Sequence, residues 1–192
     1  MPLRPFALAA LLLLPVGTAS ADGVVQKLMT PNDKARIEAF DTTRRSAIDE
    51  ARAGGSAADI AVLDKLLGPE PQSFQGFDLT GDWRCRIVKA GGLAELIVYG
   101  WFKCRVTDDG SGWMLTKLTG SQRTTGRFYD DGDKRLIYLG SFSVNDDAAR
   151  PYGSGPESDQ VGYAFRAGEQ SWRIELPAPY YDSKFDVMEL RR

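Results

Sequence analysis

Two periods divide the chain. Up to about residue 70 apolar residues recur at helical spacing, and from Phe77 onward they recur at every second position in short runs separated by turn signals. Thr30-Pro31-Asn32-Asp33 reads as an N-cap, a proline at the first helical position and an acidic residue in the first turn. Ile37, Phe40, Ala47, Ile48 and Ala51 then fall on one stripe until Gly54-Gly55. Ser56 and Asp59 cap a second helix that carries Ile60, Leu63, Leu66 and Leu67 and stops at Gly68-Pro69. The pair is a helical hairpin over residues 22–76, expected to pack on the rest of the chain through Ile37, Phe40, Ile60 and Leu63.

The rest of the chain is organised around one hairpin. Its first arm places Trp83, Cys85 and Ile87 on one face and Arg84 and Arg86 on the other. After Gly91-Gly92 the second arm sets Leu96, Val98, Gly100, Phe102 and Cys104 against Ile97, Tyr99, Trp101, Lys103 and Arg105. Eight strands are expected, centred on 83–88, 96–106, 113–118, 122–129, 135–144, 161–166, 172–176 and 185–190. Their links, such as Asp108 to Gly112 and Asp130 to Asp133, are rich in residues that tolerate positive φ. Short links favour up-and-down neighbours, and a meander of this number closes without exposed edges around side chains or one small ligand. The expected fold is therefore mainly β: an antiparallel barrel of about eight strands over 77–192, with the helical hairpin before it. Gly81-Asp82-Trp83 resembles the G-x-W that opens lipocalins, whose tryptophan is capped by an arginine near the chain end. Arg191 or Arg192 would play that part, and a lipocalin-like barrel is the shape this resemblance implies.

Arg4, the apolar run from Phe6 to Val16 and Ala19-Ser20-Ala21 have the order of a cleaved secretory signal, and the run is shorter than the about 18 residues a membrane span needs. Residues 1–21 are thus expected to be removed and the product to be periplasmic or secreted. Cleavage takes one basic residue, Arg4, and no acidic one from a chain with 24 basic and 26 acidic residues. A mildly acidic product is not a nucleic-acid binder. In an oxidising compartment the two cysteines, Cys85 and Cys104, are expected to form one disulfide. The absence of histidine removes Ser-His and Cys-His catalysis and the usual zinc and haem ligands, and no cofactor or metal is expected.

Three features carry candidate chemistry. The strand from Gln122 to Tyr129 is polar on both faces, so its groups either satisfy one another or line a wet cavity. Arg123 and Arg127 share a face with Tyr129 and are spaced to hold a carboxylate or phosphate, unless they pair with Glu175 or Glu189. The long connection from Asn145 to Gln160, with Tyr152 in it, is a lid at a barrel mouth or a solvated loop. Gln122, Arg123, Arg127, Tyr129 and Tyr152 are the ligand-binding candidates. On the hairpin, facing Cys85 with Cys104 would put Arg84 near Arg105 and Arg86 near Lys103. Such a basic face needs compensation from Glu38, Asp41, Asp49 and Glu50 or from an anionic partner. Asp130, Asp131 and Asp133 read as turn chemistry rather than a calcium loop or hydrolytic pair. No catalytic residue is assigned.

Together, Gly81-Asp82-Trp83-Arg84-Cys85-Arg86, Tyr99 to Arg105, Leu118 to Arg123, Gly126 to Gly132, Leu136 to Gly140 and Glu189-Leu190-Arg191-Arg192 resemble an uncharacterised family of exported bacterial proteins, the domain of unknown function DUF4893. The resemblance implies one exported domain and brings no activity, cofactor or catalytic residue. The functional expectation is a periplasmic non-enzymatic binding module for a small or anionic envelope-associated ligand. The alternative is a protein-interaction module, such as an inhibitor of an envelope hydrolase.

Overall fold

The computed structural model describes residues 22–192, so the expected signal segment lies outside the described residues. Four helices precede the sheet: α1 (Asp22–Leu28), α2 (Pro31–Glu38), α3 (Phe40–Gly54) and α4 (Ala57–Leu67). Thr30 and Ser56 cap as expected, their side-chain oxygens accepting from the backbone N–H of Asp33 and Asp59. The first expected helix is in fact two, because the chain leaves the helix at Ala39. Its two pieces reach different parts of the sheet, α2 lying on one strand of the closed side and α3 on the strands that open and close the barrel. Among the described residues no helix is long and apolar enough to cross a membrane.

Nine strands follow: β1 (Gly81–Gly92), β2 (Leu96–Val98), β3 (Phe102–Asp108), β4 (Trp113–Lys117), β5 (Gln122–Asp130), β6 (Leu136–Val144), β7 (Asp159–Arg166), β8 (Ser171–Pro177) and β9 (Ser183–Arg191). Each pairs antiparallel with its neighbour, and β9 returns to β1 with Cys85 opposite Leu190 and Lys89 opposite Asp186. The result is a closed eight-stranded antiparallel barrel plus one extra strand, β2. All eight expected strands are present, the second of them broken into β2 and β3.

The break has a consequence for the faces. Val88 pairs with Val98 on β2, whereas Trp83 pairs with Cys104 on β3, so the register slips by one residue across Tyr99-Gly100-Trp101. A bulge of this kind inverts the alternation on one side of it. Ile97 therefore lies opposite Lys89 on the inner face, while Lys103 lies opposite Arg84 on the outer face. This corrects the expectation that Ile97, Tyr99, Trp101, Lys103 and Arg105 share one side. The cysteine register is corrected too, by two residues: Cys85 faces Phe102 and Cys104 faces Trp83. The cysteines are bonded as a diagonal pair, with Cα atoms 5.9 Å apart.

Two apolar clusters hold the molecule. One fills the lower barrel with Trp83, Cys85, Val106, Leu115, Phe128 and Trp172. The other lies between the sheet's outer face and the helices, where Phe40 meets Tyr163 and Phe185 edge to face at 4.8 and 5.7 Å. Phe40 and Leu63 are buried there, with Ile37 and Ile60 partly so, as the apolar stripe requires. Arg192 lies over the Trp83 ring at 4.0 Å and donates to the Thr80 carbonyl, so an arginine from the chain end does cap this tryptophan.

Candidate functional site

The barrel interior changes character along its axis. At the end where β1 begins it is filled by aromatic contacts, Trp172 lying edge to face against Trp83 at 5.7 Å and Phe128 at 5.4 Å. Its upper limit is Tyr138. Gly126 and Gly140 face each other across β5 and β6, and a Cβ on either would collide with the Tyr138 ring. Two glycines opposite each other thus make room for that ring across the barrel. The Tyr138 hydroxyl donates to Thr124 Oγ1 at 2.6 Å, and Thr124 in turn donates to Gln160. Full burial raises the Tyr138 pKa, so this hydroxyl is a donor at any ordinary pH.

Above Tyr138 the inner face turns polar. Lys89, Lys117, Gln122, Thr124, Gln160 and Asp186 line a cavity together with the apolar side chains of Ile87, Phe142, Leu176 and Met188, and Tyr180 and Tyr181 roof it. The space open to the centre of a water-sized sphere is about 50 Å³. That admits a few water molecules or one small polar group, well short of the few hundred Å³ of a drug-sized pocket.

Each charge in the cavity sits differently. Lys117 is buried, lies 4.0 Å over the Phe102 ring, and donates to the carbonyls of Thr119 at 2.9 Å and Gln122 at 2.5 Å. Burial first, and then the like charge of Arg123, brings its pKa down to about 8. Among the described residues it has no carboxylate at ion-pair distance, and both of its acceptors are neutral. Lys89 is also buried but is paired with Asp182 at 3.0 Å, and this ammonium holds the Asp182 carboxyl below its ordinary value. Asp186 lies opposite Lys89 and accepts from Ser183 at 2.5 Å. Burial pushes its pKa up to about 6, with Lys89 opposing the shift. Lys89, Lys117 and Arg123 share the cavity lining with Glu157, Asp159 and Asp186, and burial shifts both Lys117 and Asp186 toward their neutral forms.

Of the ligand-binding candidates from the sequence, Gln122 and Arg123 border this cavity. Arg123, Arg127 and Tyr129 do share a face, but it is the outer one and they are not brought together. Arg123 donates to the Gly120 and Leu118 carbonyls and pairs with Asp146 at 3.3 Å, bracing the β4–β5 turn. Arg127 pairs with Asp109, which holds the Asp109 carboxyl down at about 2. Tyr129 packs beside the helices. Tyr152 lies in the long connection, donates to Asp33 at 2.7 Å and accepts from the Thr30 amide. That connection is folded: the Asp159 carboxylate takes the Gly153 and Ser154 amides at 2.9 and 3.1 Å, and Glu157 reaches the cavity rim.

The basic residues keep one outer face, with Arg84 opposite Lys103 and Arg105 opposite Asp82. Arg105 pairs with Asp82 at 2.6 Å and Arg86 with Glu189 at 2.5 Å, so compensation comes from the sheet rather than from Glu38, Asp41, Asp49 or Glu50. Glu50 instead pairs with Lys184, and Glu175 with Arg44 and Arg173. Arg84 and Arg86 both stack on Trp101 at 4.7 Å. Asp131 pairs with Arg135 at 2.5 Å across the β5–β6 turn, whereas Asp133 accepts at 2.6 Å from Ser73 of the segment that leads into the barrel.

Sequence reasoning missed Lys89, Lys117 and Asp186. A signal was available: Lys89 continues the inward set Trp83, Cys85, Ile87, and Lys117 continues Trp113 and Leu115. A lysine at an inward position of a barrel strand needs a reason.

Fold and site together define a closed antiparallel barrel, packed at one end and holding a small charged cavity at the other. The chain belongs to the family described as a domain of unknown function, DUF4893, which it matches over residues 25–190. No curated protein and no solved structure matches it.

Proposed function

We propose that this protein is a non-enzymatic binding module of the cell envelope and that its barrel mouth holds a small anionic ligand. The observation that carries the reading is Lys117, a cation withdrawn from water with only neutral acceptors around it. A buried ammonium is costly unless something compensates it. An apolar side chain at this inward position would pack as well, so the charge is best explained by an anion that visits the cavity. Asp186, protonated below about pH 6, adds a donor for the same guest. The chain has no histidine, which removes Ser-His and Cys-His catalysis. An exported location is in keeping with the Cys85–Cys104 bond.

The test is native mass spectrometry of the protein taken from its own envelope fraction. The expected result is a co-purifying small acid that Lys117→Gln fails to retain. A ligand retained equally by that variant would sink the reading. A second reading, a protein-interaction module, draws on the outer face, where Arg84 lies between Lys103 and Arg191 in register and beside the Trp101 ring. Such a surface suits an acidic cleft on a partner.

A further inference from the structure

We infer that the guest of the barrel mouth is an anionic amphiphile, a single-headed acid whose head enters the lysine layer while its apolar chain lies on the rim. This rests on the reading of the mouth as an anion site and adds the chain to it.

The first support is where the exposed apolar surface lies. Nine large apolar side chains stand exposed among the described residues. Six of them, Leu93, Ile97, Tyr99, Val144, Tyr180 and Tyr181, belong to the mouth end, while Leu118 stands on the outer face beside Arg84 and Lys103. At the opposite end the exposed apolar group is Val24 of α1, which lines a hollow with Trp113 and the turn after β3. Apolar surface gathered at one end of a barrel marks a contact site.

The second support is the order of layers on the inner face. Ile97 is paired with Lys89 and Val144 with Gln122 on the inward-facing side, so apolar side chains stand beside the polar ones at the rim. The interior thus runs from aromatic packing to the Tyr138–Thr124 layer and then to a mouth where lysines stand among apolar side chains. Phe142 inside the cavity meets Tyr181 at 5.6 Å, and Tyr181 meets Tyr180 at 4.8 Å. Tyr180 is 62% exposed, so a continuous apolar path leads from the charged layer to solvent.

The third support is size. About 50 Å³ accommodates a carboxylate or similar head and leaves no room for a chain. A ligand with an anionic head and an apolar tail satisfies both layers at once, whereas a small hydrophilic anion leaves the rim bare and an uncharged lipid leaves Lys117 unanswered.

Titration calorimetry with decanoate, acetate and decyltrimethylammonium at one ionic strength tests this. Decanoate is expected to bind at least tenfold more tightly than acetate, and the cationic amphiphile not to bind. Tyr181→Ser, at a half-exposed position, should weaken decanoate several-fold and leave acetate unchanged, whereas Lys117→Gln should weaken both by about tenfold. Equal affinities for acetate and decanoate, both lost in Lys117→Gln, would overturn the amphiphile inference while leaving the anion site standing. Decanoate bound no better than decyltrimethylammonium, and unaffected by Lys117→Gln, would overturn both.

Discussion

At the end of the barrel marked by Gly81 and Arg192, Trp83, Phe128 and Trp172 meet edge to face. At the other end the same strands turn Lys89, Lys117 and Asp186 toward a cavity. Strand pairing, alternation and closure are common to both ends, so the backbone does not explain the difference. The lower end uses its inward positions as a packed core must, with large apolar groups and a disulfide across β1 and β3. The upper end places charges where apolar groups would fit and leaves space between them. One end is thus accounted for by folding and the other is not, and the residue between them is Tyr138, seated on the glycine pair Gly126 and Gly140.

The sharpest way to test that division is to damage the packed end. Trp172 is fully buried between Trp83 and Phe128, and Trp172→Ala is expected to cost about 3–5 kcal/mol in chemical denaturation. A loss below about 1 kcal/mol would mean that the lower barrel is not the core it is taken for. Next in size is the cross-link. The Cys85–Cys104 bond spans 19 residues, and its removal in the Cys85→Ala, Cys104→Ala double variant should cost about 3 kcal/mol. Neither change should alter ligand affinity in protein that remains folded, since neither side chain lines the cavity.

How much of this contrast the sequence could reveal depends on the kind of signal. The strands were legible because period two and Asp/Gly turns are local properties, and so were the Thr30 and Ser56 caps and the Phe40 stripe. The bulge at Tyr99-Gly100-Trp101 was not, because an inserted residue leaves the alternation intact on each side and shows only in the pairing. The pairings drawn from facing cysteines shifted by two residues, Arg84 standing opposite Lys103 rather than Arg105, while the four basic residues kept one face. The polar strand left two outcomes open, and it shows both: Thr124 is satisfied by Tyr138 and Gln160, and Gln122 and Thr124 line the cavity. Lys89 and Asp186 meet only because β9 closes on β1, a contact that no local pattern can show.

The third expected effect is on pH dependence and separates the two ends by titration. Asp186 is raised to about 6 from an ordinary 3.8, so between roughly pH 4 and 6 the folded state holds a proton that the unfolded chain has released. The stability this contributes is fully present below pH 4 and is lost as pH rises through 6. The loss is about 2–3 kcal/mol at most, by the usual 1.4 kcal/mol per pH unit. Denaturation at pH 4 and pH 7, compared between the wild type and Asp186→Asn, isolates it from carboxylates such as Glu50 and Asp109, whose lowered values act in the opposite direction. Identical pH profiles for the two proteins would show that Asp186 is not desolvated. Anion affinity should follow the same groups, falling above about pH 6 as Asp186 ionises and again above about pH 8 as Lys117 loses its proton.

The smallest expected change in stability is also the most informative about the mouth. In Lys117→Met the ammonium disappears, and the carbonyls of Thr119 and Gln122 lose a donor. Leaving such acceptors unpaired costs about 1–3 kcal/mol when they are dry, and less at a rim where water can replace the lysine. Against that stands relief of the burial that holds the Lys117 pKa near 8, over two pH units below the ordinary 10.5 and so of similar size. Methionine fills the same length of inward space and meets the Phe102 ring with a sulfur that such faces accept. The two terms nearly cancel, and the expected change is within about 1 kcal/mol of zero at pH 7. Anion binding, by contrast, should fall at least tenfold. Loss of more than about 3 kcal/mol would show that Lys117 is structural after all, a strut between β4 and the turn that follows. The upper barrel would then be explained by folding in the same way as the lower.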